Sequence, residues 1–127
     1  MINKFDGNED DLKQLLDTFD QMKMLYPDSR NLFDLAIDLQ NYYHRNHRFE
    51  EEVLLWISEY ERNCESFGFN DPRTQRVLGM IREINFDSIS KDTYNHIYDI
   101  LYRDFAAQYG KNSEKFQKEI CFLTRSS

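Results

Sequence analysis

The sequence predicts an all-α fold of about six antiparallel helices, arranged either as stacked helix-turn-helix pairs or as a generic helical bundle. Apolar residues recur every three or four positions along most of the chain, which is the spacing of one face of an α-helix. Only four glycines and two prolines occur in 127 residues, too few for a protein of many tight turns. Aromatic residues make up 15% of the chain, so a core can be filled and an acidic disordered chain is excluded. We expect one helical domain over residues 1–127, with frayed ends at 1–8 and 125–127.

Residues 9–25 predict the first helix, because apolar side chains recur at helical spacing behind an acidic first turn. Pro27 ends this helix, since proline disfavours helical geometry in the residue before it. Ser29 is placed to cap the second helix, whose buried face is predicted to run from Leu32 to Tyr43. A polar turn at residues 45–48 then leads into the third helix.

Residues 49–67 form the longest amphipathic stretch and predict a central helix of about five turns. Its apolar stripe is widened by Leu54 and Leu55, while glutamates and an arginine occupy the opposite face. A helix with so wide an apolar face is expected near the middle of a bundle or stack. The stripe consists of Phe49, Val53, Trp56, Ile57, Tyr60, Cys64 and Phe67.

Three further helices are predicted after Gly68, a residue suited to the end of the central helix. Asp71 followed by Pro72 is a start signal for the fourth helix. The fifth begins at Ser90 or Asp92 after a connector that contains Phe86 and Ile89. Gly110 ends the fifth helix, and Ser113 begins the sixth.

The breaks between helices recur at a fixed interval of 42 residues. They begin at Leu25, Phe67 and Tyr109, and at the same offset Ser29, Asp71 and Ser113 coincide as candidate caps. A period of 20–50 residues is typical of stacked helix-pair repeats. Chance alignment of polar turns in a six-helix bundle is the alternative.

Leu39, Tyr43 and Phe49 lie across a tight polar turn in a pattern that resembles the tetratricopeptide repeat (TPR). The segment FGFNDPRTQRVLGMI, with Leu78-Gly79 in it, looks like a junction between the longer repeats of kinesin light chains. The resemblance covers residues 9–123 and implies helix pairs that bind a peptide or helix of another protein. In this pattern Gln40, His47 and Glu52 stand where glycine, glycine and alanine are preferred.

The formal net charge of −7 is concentrated toward the N-terminus, where residues 1–40 hold nine acidic and four basic side chains. Nucleic acid is disfavoured as a direct ligand, because phosphate binding needs a basic footprint. We expect no membrane-spanning segment and no signal peptide, and a cytoplasmic location. Cys64 and Cys121 are predicted to be buried thiols, with a disulfide between them as the alternative.

Few residue groups have the composition of a catalytic or metal site. His44, His47 and Glu51 are close enough in sequence to ligate a metal ion, although a solvated turn is the preferred interpretation. Cys64 and His96 are a conceivable nucleophile–base pair, but a thiol on an apolar stripe is more often inert. We therefore expect a protein without enzymatic activity, cofactor or metal.

The favoured function is a protein–protein interaction module, a helical-repeat adaptor or chaperone that binds a peptide or helix. Its candidate groove residues are Asn41, Tyr42, Arg45 and Arg76. The alternative is a small acidic inhibitor or immunity-type protein, of phage or plasmid origin, that neutralises a basic enzyme such as a nuclease. Its candidate contact residues are Asp10, Asp11, Asp17 and Asp20. A homodimer is a further possibility, because the tyrosines exceed what a small core buries.

Overall fold

A computed structural model describes residues 9–124 and confirms the all-α fold. In the described part of the chain six α-helices and one short 3-10 turn follow one another, with no strand. The termini predicted to fray, 1–8 and 125–127, lie outside the described residues. The helices are α1 (Glu9–Leu25), α2 (Asn31–Arg45), α3 (Phe49–Phe67), α4 (Pro72–Arg82), α5 (Lys91–Tyr109) and α6 (Glu114–Thr124), and the 3-10 turn is Phe86–Ser88.

Side-chain caps mark the starts of α4 and α5. The Asp71 side chain accepts the backbone N–H of Arg73, and Pro72 is the first residue of α4. Ser90 is the N-cap of α5, where its side chain accepts the N–H of Thr93. Ser29 accepts the N–H of Asn31 at 3.1 Å, but α2 begins only at Asn31, two residues after the predicted cap. Side-chain capping therefore sets the first residues of α4 and α5, whereas Arg30, the N-cap of α2, makes no such hydrogen bond.

The three turns that follow α1, α3 and α5 share their hydrogen bonds at the 42-residue interval. The first residue of each turn, Tyr26, Gly68 or Gly110, donates its N–H to the carbonyl four residues earlier, at 2.7, 2.9 and 2.9 Å. Its carbonyl accepts the N–H three residues later, at 2.9, 3.4 and 3.1 Å. The two glycines have φ of +96° and +82°, where a side chain would be strained. The same hydrogen-bond pattern thus recurs three times, although only in the second and third turns does the first residue have a positive φ.

The chain divides into two compact units, residues 1–59 and residues 60–127, and the division falls within α3. The described part of the first unit, residues 9–59, contains α1, α2 and the first half of α3. Its core includes Trp56, whose indole N–H donates to Gln40 Oε1 at 2.8 Å. The other fully or nearly buried apolar side chains there are Leu12, Phe19, Leu32, Ala36, Leu39, Tyr42, Tyr43, Val53 and Ile57.

The described part of the second unit, residues 60–124, contains the rest of α3 with α4, α5 and α6. Its Tyr60 is fully buried, and the hydroxyl donates to Asp104 Oδ2 at 2.8 Å. Arg82 on α4 pairs with Glu119 on α6, and the Tyr94 hydroxyl donates to the Leu123 carbonyl. The core is completed by Phe69, Val77, Leu78, Ile81, Phe86, Ile97, Ile100, Leu101, Phe105, Phe116, Ile120, Phe122 and Leu123.

Candidate protein-binding surface

A surface groove lies between α1 and α3 in the first unit, with α2 beneath it. We call it the α1–α3 groove. It has a volume of about 250 Å³, and Leu54 on its α3 side is 42% exposed. Val53, Trp56 and Ile57 fill the buried stripe of α3, so Leu54 is left outside it. The apolar lining is Leu16, Phe19, Tyr43, Leu54 and Leu55, and the polar lining is Asp20, Lys23, Glu51, Ser58 and Glu59.

The charged groups of the α1–α3 groove are held by local contacts. Lys23 Nζ lies 3.4 Å from Asp20 Oδ1 and 4.5 Å from the centre of the Phe19 ring. Glu51 accepts two hydrogen bonds from the Arg48 guanidinium, at 2.5 and 2.7 Å. Burial, and after it the Glu51 carboxylate, raises the pKa of Tyr43 in the floor. The apolar floor is therefore surrounded by ordered charges.

Arg48 lies where the first turn of α1 meets α2 and α3. Besides Glu51 it contacts Glu9 Oε2 at 3.1 Å and the Tyr42 hydroxyl at 3.2 Å. The hydrogen bond to Glu51 raises the pKa of the guanidinium. Arg48 thereby connects the first turn of α1 with α2 and α3.

A second surface feature, which we call the apolar corner, lies where α1 turns into α2. Met24, Leu25 and Tyr26 are 82%, 66% and 61% exposed. Pro27 turns the chain immediately after them, so three consecutive large side chains stand at the surface. An adjoining open cleft of about 640 Å³ is lined by Met22, Leu25, Tyr26, Pro27, Asp28, Ser29 and Asn31. Large apolar side chains exposed in succession are more typical of interaction sites than single ones are.

The net charge of the chain lies almost entirely in the first unit. Residues 9–59 contain twelve acidic and five basic side chains, a balance of −7. Residues 60–124 contain ten acidic and nine basic side chains, a balance of −1. Both surface features therefore belong to the acidic unit.

The predicted groove residues are not among those that line the α1–α3 groove. Asn41 and Arg45 are exposed on α2, and Arg76 is exposed on α4 in the second unit. Tyr42 is only 2% exposed, and its hydroxyl donates to Glu9 while accepting from Arg48. Because its ring is buried and its hydroxyl is hydrogen-bonded, Tyr42 is a core residue.

The acidic residues assigned to the inhibitor hypothesis differ in accessibility. Asp10, Asp17 and Asp20 are exposed on α1, whereas Asp11 is half-buried. The sequence interpretation missed Met24, Tyr26 and Leu54 as surface residues. One signal was available for Met24, because it falls outside the apolar stripe of α1.

The residues considered for metal binding and for catalysis make other contacts in the structure. His44 Nδ1 lies 3.2 Å from Glu52 Oε1, and the rings of His44 and His47 both contact Phe49 edge to face. Within residues 9–124, no three histidine, cysteine or carboxylate side chains are grouped to hold a metal ion. Burial raises the pKa of the Cys64 thiol, which disfavours the thiolate that a nucleophile needs.

The two cysteines are both in the thiol form. Cys64 is half-buried, but Cys121 is exposed, contrary to the expectation that it is buried. It lies between the buried residues Ile120 and Phe122, one step outside the stripe formed by Phe116, Ile120 and Leu123.

Over the described helices, none combines the length and apolar character needed to cross a bilayer. Comparison with known proteins finds no matching family model, no similar characterised protein and no similar solved structure. The tetratricopeptide resemblance therefore stays a prediction.

Proposed function

We propose that this protein is a non-enzymatic protein-binding module whose first unit contacts its partner through the apolar corner. The supporting observation is the exposure of Met24, Leu25 and Tyr26, three large apolar side chains in succession, of which Leu25 and Tyr26 line the adjoining cleft. Single exposed apolar side chains are ordinary, but a run of three beside an open cleft favours a docking surface. Tyrosine in particular is enriched among the residues that dominate binding energy.

The recurrence of the turn at 42-residue intervals is consistent with this function. Proteins built from stacked helix pairs present extended surfaces and commonly bind other chains. The three equivalent turns support a repeat architecture, of which the corner at Tyr26 is the first turn. Gly68 and Gly110 occupy the equivalent positions in the other two turns, so the apolar side chain is particular to the corner.

The corner is tested by replacing Met24 and Leu25 together with glutamine. Glutamine, methionine and leucine have similar helix propensities, and both side chains are already exposed, so the fold should be preserved. Full burial of one such side chain is worth about 1.5–3 kcal/mol, part of which is offset by the cost of association. Partner affinity should therefore fall at least about tenfold.

The measurement is quantitative capture of partners from lysate of the native cell on immobilised protein. The matched control is a double variant on α6, Glu114→Ser with Lys118→Ser, which removes one exposed charge of each sign in the second unit. A partner retained by wild type and by the control, but lost by the corner variant, supports the proposal. Equal recovery on all three proteins contradicts it.

A second candidate function is inhibition of a basic enzyme, and the charge of −7 over residues 9–59 favours it. Charge complementarity of this kind accelerates association and makes it sensitive to salt. Asp10 and Asp17 are exposed, and their conversion to asparagine leaves the Asp20–Lys23 pair intact. The variant should bind a captured basic enzyme with a slower association rate and a weaker salt dependence. An unchanged association rate would remove the acidic face from consideration.

A further inference from the structure

The α1–α3 groove is a surface separate from the apolar corner, and its size limits what it can hold. Pockets for small molecules usually enclose about 300–1,000 Å³. The groove, at about 250 Å³, is below that range and is open along the protein surface. It has room for a few side chains of a larger partner rather than for a whole cofactor.

The walls of the groove follow helical spacing. On α3 the lining residues run from Glu51 to Glu59, and on α1 they run from Leu16 to Lys23. At a rise of 1.5 Å per residue, each wall is about 10–12 Å long, which is about two helical turns. An occupant that matches this length is a helix whose apolar side chains recur at positions i, i+3 or i+4, and i+7.

The charges around the groove indicate which charged side chains that helix should carry. Three of the four charged lining residues are acidic, and the unit has a balance of −7. Glu51 and Asp20 are already paired, but a carboxylate has about four acceptor positions and accepts further donors. Lysines and arginines beside an apolar stripe would therefore be complementary to the rim.

We propose that the α1–α3 groove binds a basic amphipathic helix of a partner protein. Its apolar side chains pack on Leu16, Leu54 and Leu55. Its flanking cations face Asp20 and Glu51. This inference rests on the proposed protein-binding function but uses a different surface from the corner.

The probe is a synthetic, fluorescently labelled peptide of about five helical turns, with leucines in one stripe and lysines elsewhere. A scrambled peptide of the same composition controls for charge alone. Fluorescence anisotropy measures the Kd of both peptides for the full chain. We expect the striped peptide to bind at least about tenfold more tightly than the scrambled one, because only the striped peptide offers a continuous apolar face.

Two substitutions separate the groove from other surfaces. Leu54→Gln removes the exposed apolar wall, and Ser58→Phe places a ring at an exposed lining position. Each should weaken striped-peptide binding about fivefold to tenfold while leaving scrambled-peptide binding unchanged. The corner variant, with Met24 and Leu25 replaced by glutamine, should bind the striped peptide as wild type does.

Trp56 is the sole tryptophan, so its fluorescence, together with circular dichroism, confirms that each variant is folded. Equal affinity for the two peptides would overturn the inference, and so would full binding by folded Leu54→Gln and Ser58→Phe. Loss of striped-peptide binding in the corner variant would also overturn it, because the peptide would then occupy the corner. These outcomes leave the capture experiment on the corner unaffected, so failure of one proposal is distinguishable from failure of the other.

Discussion

Replacing Tyr60 with phenylalanine removes one buried hydroxyl and leaves the rest of the core of the second unit in place. The ring is fully buried, and the hydroxyl donates to Asp104 Oδ2 at 2.8 Å. A hydrogen bond to a charged group contributes about 1.5–3 kcal/mol. The Asp104 side chain is 24% exposed and also accepts from Arg103 Nε at 3.2 Å, so its carboxylate stays partly solvated and paired. We therefore expect a loss near the lower limit, about 1.5 kcal/mol.

Thermal unfolding monitored by circular dichroism measures this loss, as a decrease in Tm of roughly 3–6 °C. The matched control is Tyr98→Phe, because the Tyr98 hydroxyl has no hydrogen-bond partner among the described residues. That substitution should change the free energy of unfolding by less than about 0.5 kcal/mol. If both variants lose the same stability, the hydroxyl–carboxylate contact does not stabilise the fold and the reasoning is refuted.

The effect of Tyr60→Phe on the free energy of unfolding should depend on pH. Burial, followed by the hydrogen bond to Asp104, raises the pKa of Tyr60 above its ordinary value of 10.0. Above pH 10 the tyrosine therefore ionises in the unfolded chain but stays neutral in the folded one. The unfolded state then binds fewer protons, so the contribution of Tyr60 to stability is constant below about pH 10 and falls above it. Phenylalanine does not titrate, so the stability difference between wild type and Tyr60→Phe should shrink as the pH rises above 10.

Two further substitutions test the backbone and the ionic contacts. Gly79 lies inside α4 and has open space within 4 Å of the position that a β-carbon would take, so Gly79→Ala should raise the free energy of unfolding by about 0.5–1 kcal/mol. Gly110 has φ of +82°, where a side chain is strained, so Gly110→Ala should lower the free energy of unfolding by about 1 kcal/mol. Denaturant titration measures both, and a stabilised Gly110→Ala would contradict the strain argument. Arg48→Lys keeps the positive charge but loses the two hydrogen bonds of the guanidinium to Glu51. The free energy of unfolding of the first unit should therefore fall by about 0.5–1 kcal/mol, and Trp56 fluorescence measures that unfolding. Unchanged stability across a range of salt concentrations would show that Arg48 contributes little to that unit.

The helix ends could be predicted because their signals are local. The pair Asp71-Pro72 and the glycines Gly68 and Gly110 act within a few residues of their own positions. His47 is a further local signal. It stands where the tetratricopeptide pattern prefers glycine, and its backbone has a left-handed φ of +58°. Sequence reasoning therefore located all six helices.

The surfaces could not be predicted equally well, because exposure depends on distant parts of the chain. The hydroxyl of buried Tyr42 contacts Glu9 and Arg48, which are 33 residues before it and six after it in sequence. Leu54 widens the apolar stripe of an amphipathic helix, yet it lies at the rim of a groove because α1 and α2 leave it uncovered. The division of the chain within α3 likewise depends on which residues contact one another, and one continuous amphipathic helix gives no sign of it.

The short turns have a consequence for how the protein forms. The turns between α1 and α2, α3 and α4, and α5 and α6 span only four or five residues, so closing each of them costs little chain entropy. Contacts between neighbours in sequence correspond to low contact order, and helical proteins of that kind fold in microseconds to milliseconds. During synthesis at about 5–20 residues per second, α1 and α2 have time to pair once they have left the ribosome, while later helices are being made. The acidic unit that we assign to partner binding therefore begins to fold while the second unit is still being made.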